Sequence, residues 1–503
     1  MSHFNLIDEP WIPIRDLLGA RREVGLKEVL LRASDISEIE DVSPLVVAAL
    51  YRFLLAVLYR ALEGPKDIDE ARTFFREGFP SSKIEEYLEK WRGRFYLFDE
   101  SYPFGQIPTV WSKELRSWTT LAAEHNADNA KVLFDHVDTR NAGPITCASA
   151  IRWLITTHTF SVSAGKSELS HTGTAPSATA AMTIPIGANL RDTLHFLLVF
   201  QNRLTTEVDL PIWERNPESI DVLRSGLERA PCGYADLFTW RTRSVRLVRN
   251  ESGQVEKVAF ASGVSIGESS FDDPMLAFRL DEKRGKLPIQ FKERGLWREF
   301  DSLLPDAKGT APRVISNALA ISRDDPKRAP KALLVIGQRN DKALIEFWRN
   351  ERFVLPIATD ETGKLRDNIN GFLGKCEEVG TVLYKACRTY FRHLLSRGSR
   401  EPIPQDLRGC IESCPATQVY WSLMEADFHA LLSKISAEGV NEELRAWWLR
   451  RLTENFMSGW DSLVRSIDGG DVWSVRALAM AERSVRMKRK EMTTRAKEYE
   501  GNV

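Results

Sequence analysis

Beyond Pro356 the apolar positions fall into helical step. Cys376, Val379, Leu383, Cys387, Tyr390 and Leu394 lie three or four residues apart, as do Trp421, Met424, Phe428, Leu431 and Ile435, and then Leu449, Leu452, Phe456, Trp460, Leu463 and Ile467. That spacing keeps side chains on one face of an α-helix, so each run predicts an amphipathic helix. A fourth candidate runs from about Val472 to Glu498. Gly-bearing connections, Ser436–Asn441 and Ile467–Asp471, separate the last pairs, as antiparallel neighbours require. Residues 361–503 therefore predict a four-helix bundle.

Residues 1–360 read differently, as short alternating runs broken by Pro- and Gly-bearing turns. The fold class expected is α+β, a large irregular mixed N-terminal domain followed by the C-terminal bundle. The most apolar stretch, Leu45–Leu62, has Arg52 at its centre and Arg60 near its end, so it predicts a buried helix and not a membrane span. Ser43 would cap it, with Pro44 in the first helical position. A second helix is expected over Leu190–Leu204. Arg241–Arg249, the turn-rich Asn250–Gln254 and then Val255–Ser262 predict a β-hairpin with Lys257 on its second strand, beside several arginines. The run Ala332–Ile336 predicts a strand, followed by a polar, basic turn from Gly337 to Lys342 and then a helical stretch.

The chain has 503 residues, more than the roughly 250–300 at which single cores stop growing, so two domains are expected. Hydrophobic residues at 43% and charged residues at 28% exclude a disordered or fibrous chain. The opening residues lack a basic flank followed by an apolar run, so a cytoplasmic protein is expected. Six cysteines occur with no CxxC pair, and Cys410 and Cys414 have no second ligand pair nearby, which predicts free thiols. A net charge of −1 leaves no global footprint of nucleic-acid binding, so any such contact must be local. The basic run Arg483–Lys497 reads as a solvated helix face complementing the C-terminal dipole, or as a contact for nucleic acid or an acidic partner.

Enzymatic motifs stop short. Ala164-Gly165-Lys166-Ser167 looks like the end of a phosphate-binding loop, but Phe160 stands where its first glycine is needed. Phe134-Asp135-His136-Val137-Asp138 sets a histidine between acids, yet no HExxH or paired-histidine spacing accompanies it. No GxSxG elbow is present. No catalytic residue, cofactor or metal is expected.

The run Phe4–Ile14 closely resembles the opening strand of CasA proteins, the large-subunit family of the type I-E CRISPR Cascade complex. Further resemblances follow in order: Phe95-Tyr96-Leu97 with Pro103-Phe104, Gly173-Thr174 leading into Asn189-Leu190-Arg191, the turn from Gly337 to Ala343, Val419-Tyr420-Trp421 through Phe428-His429, and Leu478-Ala479. They span nearly the whole chain in one collinear order.

The resemblance implies a non-catalytic subunit of an RNA-guided complex. Its partners would be the other Cascade subunits, the 5′ region of the crRNA, double-stranded target DNA and a recruited helicase-nuclease, with no membrane. It would read the protospacer-adjacent motif, the PAM, largely from the minor groove, and begin the strand separation that leads to the R-loop. The alternative is a structural adaptor that binds proteins without reading DNA. Residue by residue, the family's lysine finger falls on Lys257 within Gly253–Lys257. The glycine-rich loop falls on Ser163, Ala164 and Gly165, where only Gly165 keeps the family's residue. The wedge, carried on a β-hairpin, falls on Arg339, Asn340, Asp341, Lys342 and Ala343, with Lys342 in place of the family's glutamine and Asp341 in place of its asparagine. A lysine stem still intrudes sterically while its ammonium reaches phosphate. The loop that anchors the subunit on the RNA-bearing backbone falls on Asn129–His136, with Leu133 or Phe134 as apolar contact and Asp135 and His136 beside them. Some members carry a four-cysteine zinc site; here Cys147 fits one position and Pro144 another, so that site is missing.

Overall fold

The N-terminal motif is a core anchor. In the computed structural model Leu6, Ile7, Trp11, Ile12 and Ile14 are all buried. The Trp11 indole N–H donates to the Leu6 carbonyl at 2.8 Å. The neighbouring backbone pairs with the second motif, Leu6 N–H to Phe95 O at 2.9 Å and Leu97 N–H to Phe4 O at 2.8 Å. Phe95 and Phe104 stack with centroids 5.5 Å apart, and Trp213 lies 5.3 Å from Phe95. The first two segments that carried the family resemblance thus share one aromatic core, in which large rings bury much apolar area at defined geometry. The structure describes residues 4–112, 114–122, 142–163, 169–171, 173–201, 207–341, 344–356, 362–467 and 471–501.

The chain divides into two compact units, Met1–Arg294 with Lys308–Arg352, and Gly295–Ala307 with Phe353–Val503. The first holds small sheets around the helix Pro44–Leu62, which begins as its sequence predicts: Ser43 Oγ accepts from the Val46 N–H at 3.3 Å and Pro44 opens the first turn. This is the one helix, among the described residues, long and apolar enough to cross a membrane, and 94% of its most apolar window is buried inside the protein. Arg52, 1% exposed, makes an ion pair with Asp273 at 2.5 Å and lies over the Phe238 ring at 4.3 Å.

Two expectations for this unit need correction. The second helix covers only Leu190–Leu197 and does not continue to Leu204. Beyond it the carbonyls go to tertiary donors: Val199 O accepts from Tyr59 Oη at 2.7 Å and Phe200 O from Arg313 at 3.1 Å. Residues Gly337–Asp341, expected as part of a turn, continue the strand, and no helix follows them either. The strand Ala332–Asp341 is followed by a second strand, Leu344–Val354, in a three-stranded sheet whose third member is Met182–Ile186. Ile345, Phe347, Trp348 and Phe353 are β-branched or aromatic, and tertiary pairing selects that strand preference over the helical reading.

The second unit is helical. Its long helices are Thr362–Ser396, Pro415–Glu438, Glu442–Arg465 and Val472–Gly501, with a short helix Pro404–Glu412 between the first two. The predicted stripes are its core: Val379, Leu383, Phe428, Leu431, Leu452 and Phe456 are all fully buried. Gly439 ends one helix at φ +73°, and Asn441 caps the next by accepting from the Leu444 N–H at 2.8 Å. Gly459 permits a close helix approach, since a Cβ there would sit 2.7 Å from the Ala416 carbonyl oxygen. The upstream segment Gly295–Ala307 supplies Trp297 and Phe300, whose rings lie 5.4 and 5.5 Å from Phe428.

Candidate nucleic-acid interface

The hairpin forms where the sequence places it. Arg243–Arg249 pairs antiparallel with Val255–Ser262, which also pairs with Arg116–Ser117. The register contains a bulge: Val248 faces Lys257 while Arg249 faces Val255, leaving Glu256 without a partner on the opposite strand. A bulge bends its strand and re-aims the side chains beside it. Lys257 is half-buried, on the sheet face it shares with Val248, Ser117 and the exposed Arg246. Among the described residues no carboxylate pairs with it. The other hairpin arginines are committed elsewhere, Arg241 to Glu218 and Arg249 over the Phe98 ring at 4.1 Å. The cationic strand in the sequence is therefore, at the surface, mainly Arg246 and Lys257.

The helix Cys147–Phe160 joins the hairpin to the other predicted elements. Just before it, Ile145 and Val255 exchange backbone hydrogen bonds at 2.8 and 2.9 Å. At its far end Thr242 Oγ1 donates to the His158 carbonyl at 2.8 Å. Gln338, fully buried on the strand Ala332–Asp341, donates from Nε2 to the Phe160 carbonyl at 2.6 Å. Gly337 beside it has no room for a side chain, as a Cβ would lie 2.4 Å from the Ala180 oxygen. Arg243, 1% exposed, donates to Val162 O at 2.6 Å and to Gly173 O at 2.7 Å. His158 is buried with Nε2 2.9 Å from the Gly105 carbonyl, and burial pulls its pKa down to about 4, so the ring is neutral at pH 7.

Both hairpins and the segment leading to the glycine-rich loop thus meet at the end of one helix. Ser163 is exposed at the described edge of that loop, whereas Ala164 and Gly165 lie outside the described residues. Arg339 pairs with Glu346 across the second hairpin at 2.5 Å, which ties it to the hairpin stem. Asn340 and Asp341 end the first strand of that hairpin; Lys342 and Ala343 lie outside the described residues. So does the whole anchoring loop with Asn129, Leu133, Phe134, Asp135 and His136. Cys147 is a free thiol 3.5 Å from the Gly253 carbonyl, and burial raises its pKa. Among the described residues no group of three or more His, Cys, Asp or Glu could hold a metal. In the sequence Arg243 looks like an ordinary strand residue and Gln338 like part of a polar turn, and only their buried partners reveal their roles.

The comparisons with known proteins agree with this architecture. The family model for the CRISPR-associated protein Cse1 matches residues 5–457. A CRISPR-associated protein CasA/Cse1 from Thermus thermophilus is 32% identical over 495 residues, covering 96% of each chain. The solved structure of Thermus thermophilus CasA superposes with a TM-score of 0.85 at 29% identity, over 98% of this chain and 100% of that one. A chain of a CRISPR RNA-guided surveillance complex gives a TM-score of 0.75 over 97% and 99% of the two chains, and at 19% identity it shows the fold alone. Fold and sequence together define a CRISPR-associated protein of two units, one mixed and one helical. The chain belongs to the Cse1/CasA family, the large subunit of type I-E Cascade.

Proposed function

We propose that this chain is the DNA-inspecting subunit of an RNA-guided surveillance complex. It reads the PAM on double-stranded DNA, helps to open the duplex for crRNA-guided R-loop formation, and docks the helicase-nuclease, with no turnover chemistry of its own. Residues 1–360 carry PAM recognition and docking on the RNA-bearing backbone through Asn129–His136, and residues 361–503 form the bundle. Other Cascade subunits, the crRNA 5′ region and target DNA are its partners, in the cytoplasm.

The observation that carries this reading is that the helix Cys147–Phe160 supports all three elements: the Lys257 hairpin runs along it from Ile145 to His158, and at its end the Ser163 segment and the second hairpin join the hairpin base through Arg243 and Gln338. A lysine, a backbone loop and an intruding turn held on one support can read a groove and prise it open together. Minor-groove donors and acceptors hardly distinguish A·T from T·A, so such a reader accepts several related PAMs. Exchanging a DNA duplex for an RNA–DNA heteroduplex is close to balanced in energy, so a few placed cations suffice to start it, and a net charge of −1 is no obstacle.

The test is binding of the reconstituted complex to a library of protospacer duplexes with randomised flanks. Selection of a small related set of flanks supports the reading. Equal retention of all flanks reduces the subunit to an adaptor.

A further inference from the structure

Arg243 is an unusual buried cation. Its side chain is 1% exposed, and its hydrogen bonds go to carbonyl oxygens: Val162 at 2.6 Å, Gly173 at 2.7 Å and its neighbour Thr242 at 3.0 Å. Among the described residues no carboxylate pairs with it. Burial alone pulls its pKa down to about 10, so it is still charged at pH 7. A charge taken out of water without a counter-ion is expensive, and an apolar residue would fill the same strand position without that penalty. The planar guanidinium does what an apolar side chain cannot: two of its nitrogens hold two separated stretches of backbone at once.

Those stretches are the two feet of one segment. Val162 precedes Ser163, and Gly173 follows Ser170 and His171. Parallel links hold the same feet: Ala175 N–H donates to Ser161 O at 2.9 Å, Ser177 N–H to Thr159 O at 3.2 Å, and Ser170 N–H to Ser262 Oγ at 3.1 Å. Gly173 sits tightly, since a Cβ there would lie 3.1 Å from Ser265 Oγ. Arg243 belongs to the strand that pairs with the Lys257 strand, with Arg243 opposite Ser262 and Val248 opposite Lys257.

We infer that Arg243 is a positioning residue that ties the two described backbone stretches Ser161–Ser163 and Gly173–Ser177 to each other and to the Lys257 hairpin, so that these stretches and the lysine keep a fixed relative position when duplex DNA is met. The inference rests on the DNA-reading function proposed above, and its two parts are separable by experiment. With Arg243 in place the backbone at Val162 and Gly173 is already held when duplex arrives, and preorganisation of this kind sharpens discrimination.

The experiment compares wild type, Arg243→Met and Arg243→Lys with Arg241→Gln, a control that breaks the buried Arg241–Glu218 pair two residues away without touching either foot. Hydrogen exchange of the isolated subunit is followed at the Ala175 and Ser177 amides, and the reconstituted complex is tested for its preference between selected and scrambled flanks. Arg243→Met should speed exchange at both amides by about ten-fold or more, the factor carried by about 1.4 kcal/mol. Arg243→Lys, with one point donor in place of a fork, should fall between Met and wild type. Arg241→Gln should leave these amides unchanged. Loss of flank preference in Arg243→Met, with the complex assembled, completes the expected result. Unchanged exchange at Ala175 and Ser177 in Arg243→Met overturns the clamp whatever happens on DNA. Faster exchange with flank preference intact overturns the link between clamp and reading. A wild-type complex that prefers no flank refutes the DNA-reading function itself, while the exchange data still decide the clamp.

Discussion

Replacing Arg52 by methionine tests whether the core of the first unit depends on a buried charge pair. The guanidinium is 1% exposed, and its Asp273 partner is 8% exposed at 2.5 Å. Removing one member of such a pair leaves a buried charge alone, which destabilises by roughly 3–5 kcal/mol. Two features moderate the loss. Asp273 Oδ1 also accepts from the Met275 N–H at 3.0 Å, so the orphaned carboxylate keeps a donor. Nε and one terminal nitrogen of Arg52 have no hydrogen-bond partner among the described residues, and deleting them relieves a penalty of about 1–3 kcal/mol. Loss of the contact with Phe238 acts in the opposite direction by about 1–2 kcal/mol. The net expectation for Arg52→Met is a destabilisation of about 3 kcal/mol. Arg52→Met with Asp273→Asn should return to within about 1 kcal/mol of wild type, because methionine fills the volume and asparagine still accepts from Met275. Hydrogen exchange of peptides within Pro44–Leu62 reads this as a roughly hundred-fold loss of protection in the single variant and its recovery in the double. A single variant costing less than about 1 kcal/mol, or a double no better than the single, refutes the reasoning.

Two further predictions concern the interface. The His158 pKa is lowered to about 4 by burial, so between that value and the unfolded value of about 6.5 the unfolded chain binds the extra proton; stability contributed by the neutral ring is complete above pH 6.5 and is lost as pH falls towards 4. His195 is shifted the same way, and from pH 7 to pH 5 His158 alone should remove about 2 kcal/mol in urea titrations, a slope that His158→Gln should flatten. Gly337→Ala forces a Cβ to 2.4 Å from the Ala180 oxygen and should lower the melting temperature by an amount worth about 1–3 kcal/mol. Gly371→Ala, an exposed helical position with open space, should instead stabilise by about 0.5–1 kcal/mol in the same melts.

What could be read from the sequence was what local spacing encodes. The bundle stripes, the Ser43–Pro44 helix start and the Lys257 hairpin each depend on residues within a few positions of one another, and each forms as expected. What spacing does not encode was missed. Nothing near Trp297 or Phe300 signals that they pack around Phe428, more than a hundred residues away in sequence. The helix from Leu190 ends early because Tyr59 and Arg313 take carbonyls that a longer helix would use. Gly337–Lys342 reads as a turn leading into a helix, whereas Gly337–Asp341 continue a strand and the β-hairpin implied by the family resemblance is what forms. The run Arg241–Arg249 places several arginines beside Lys257 in the sequence, but Arg241 and Arg243 are buried, a fact visible only in their acceptors. The bulge at Glu256, which sets the aim of Lys257, also has no local signature.

The central claim is that Lys257 takes part in reading duplex DNA, and titrating the reconstituted complex against selected and scrambled flanks at two salt concentrations, with wild type and Lys257→Ala subunits, tests it most directly. The account predicts that wild type prefers the selected flank, that Lys257→Ala assembles normally, and that it loses about ten-fold of that preference, or about 1.4 kcal/mol. If Lys257→Ala keeps the full preference and only weakens binding to both duplexes alike, with a salt slope reduced by about one, Lys257 is a phosphate contact and the account of it as the reader is wrong.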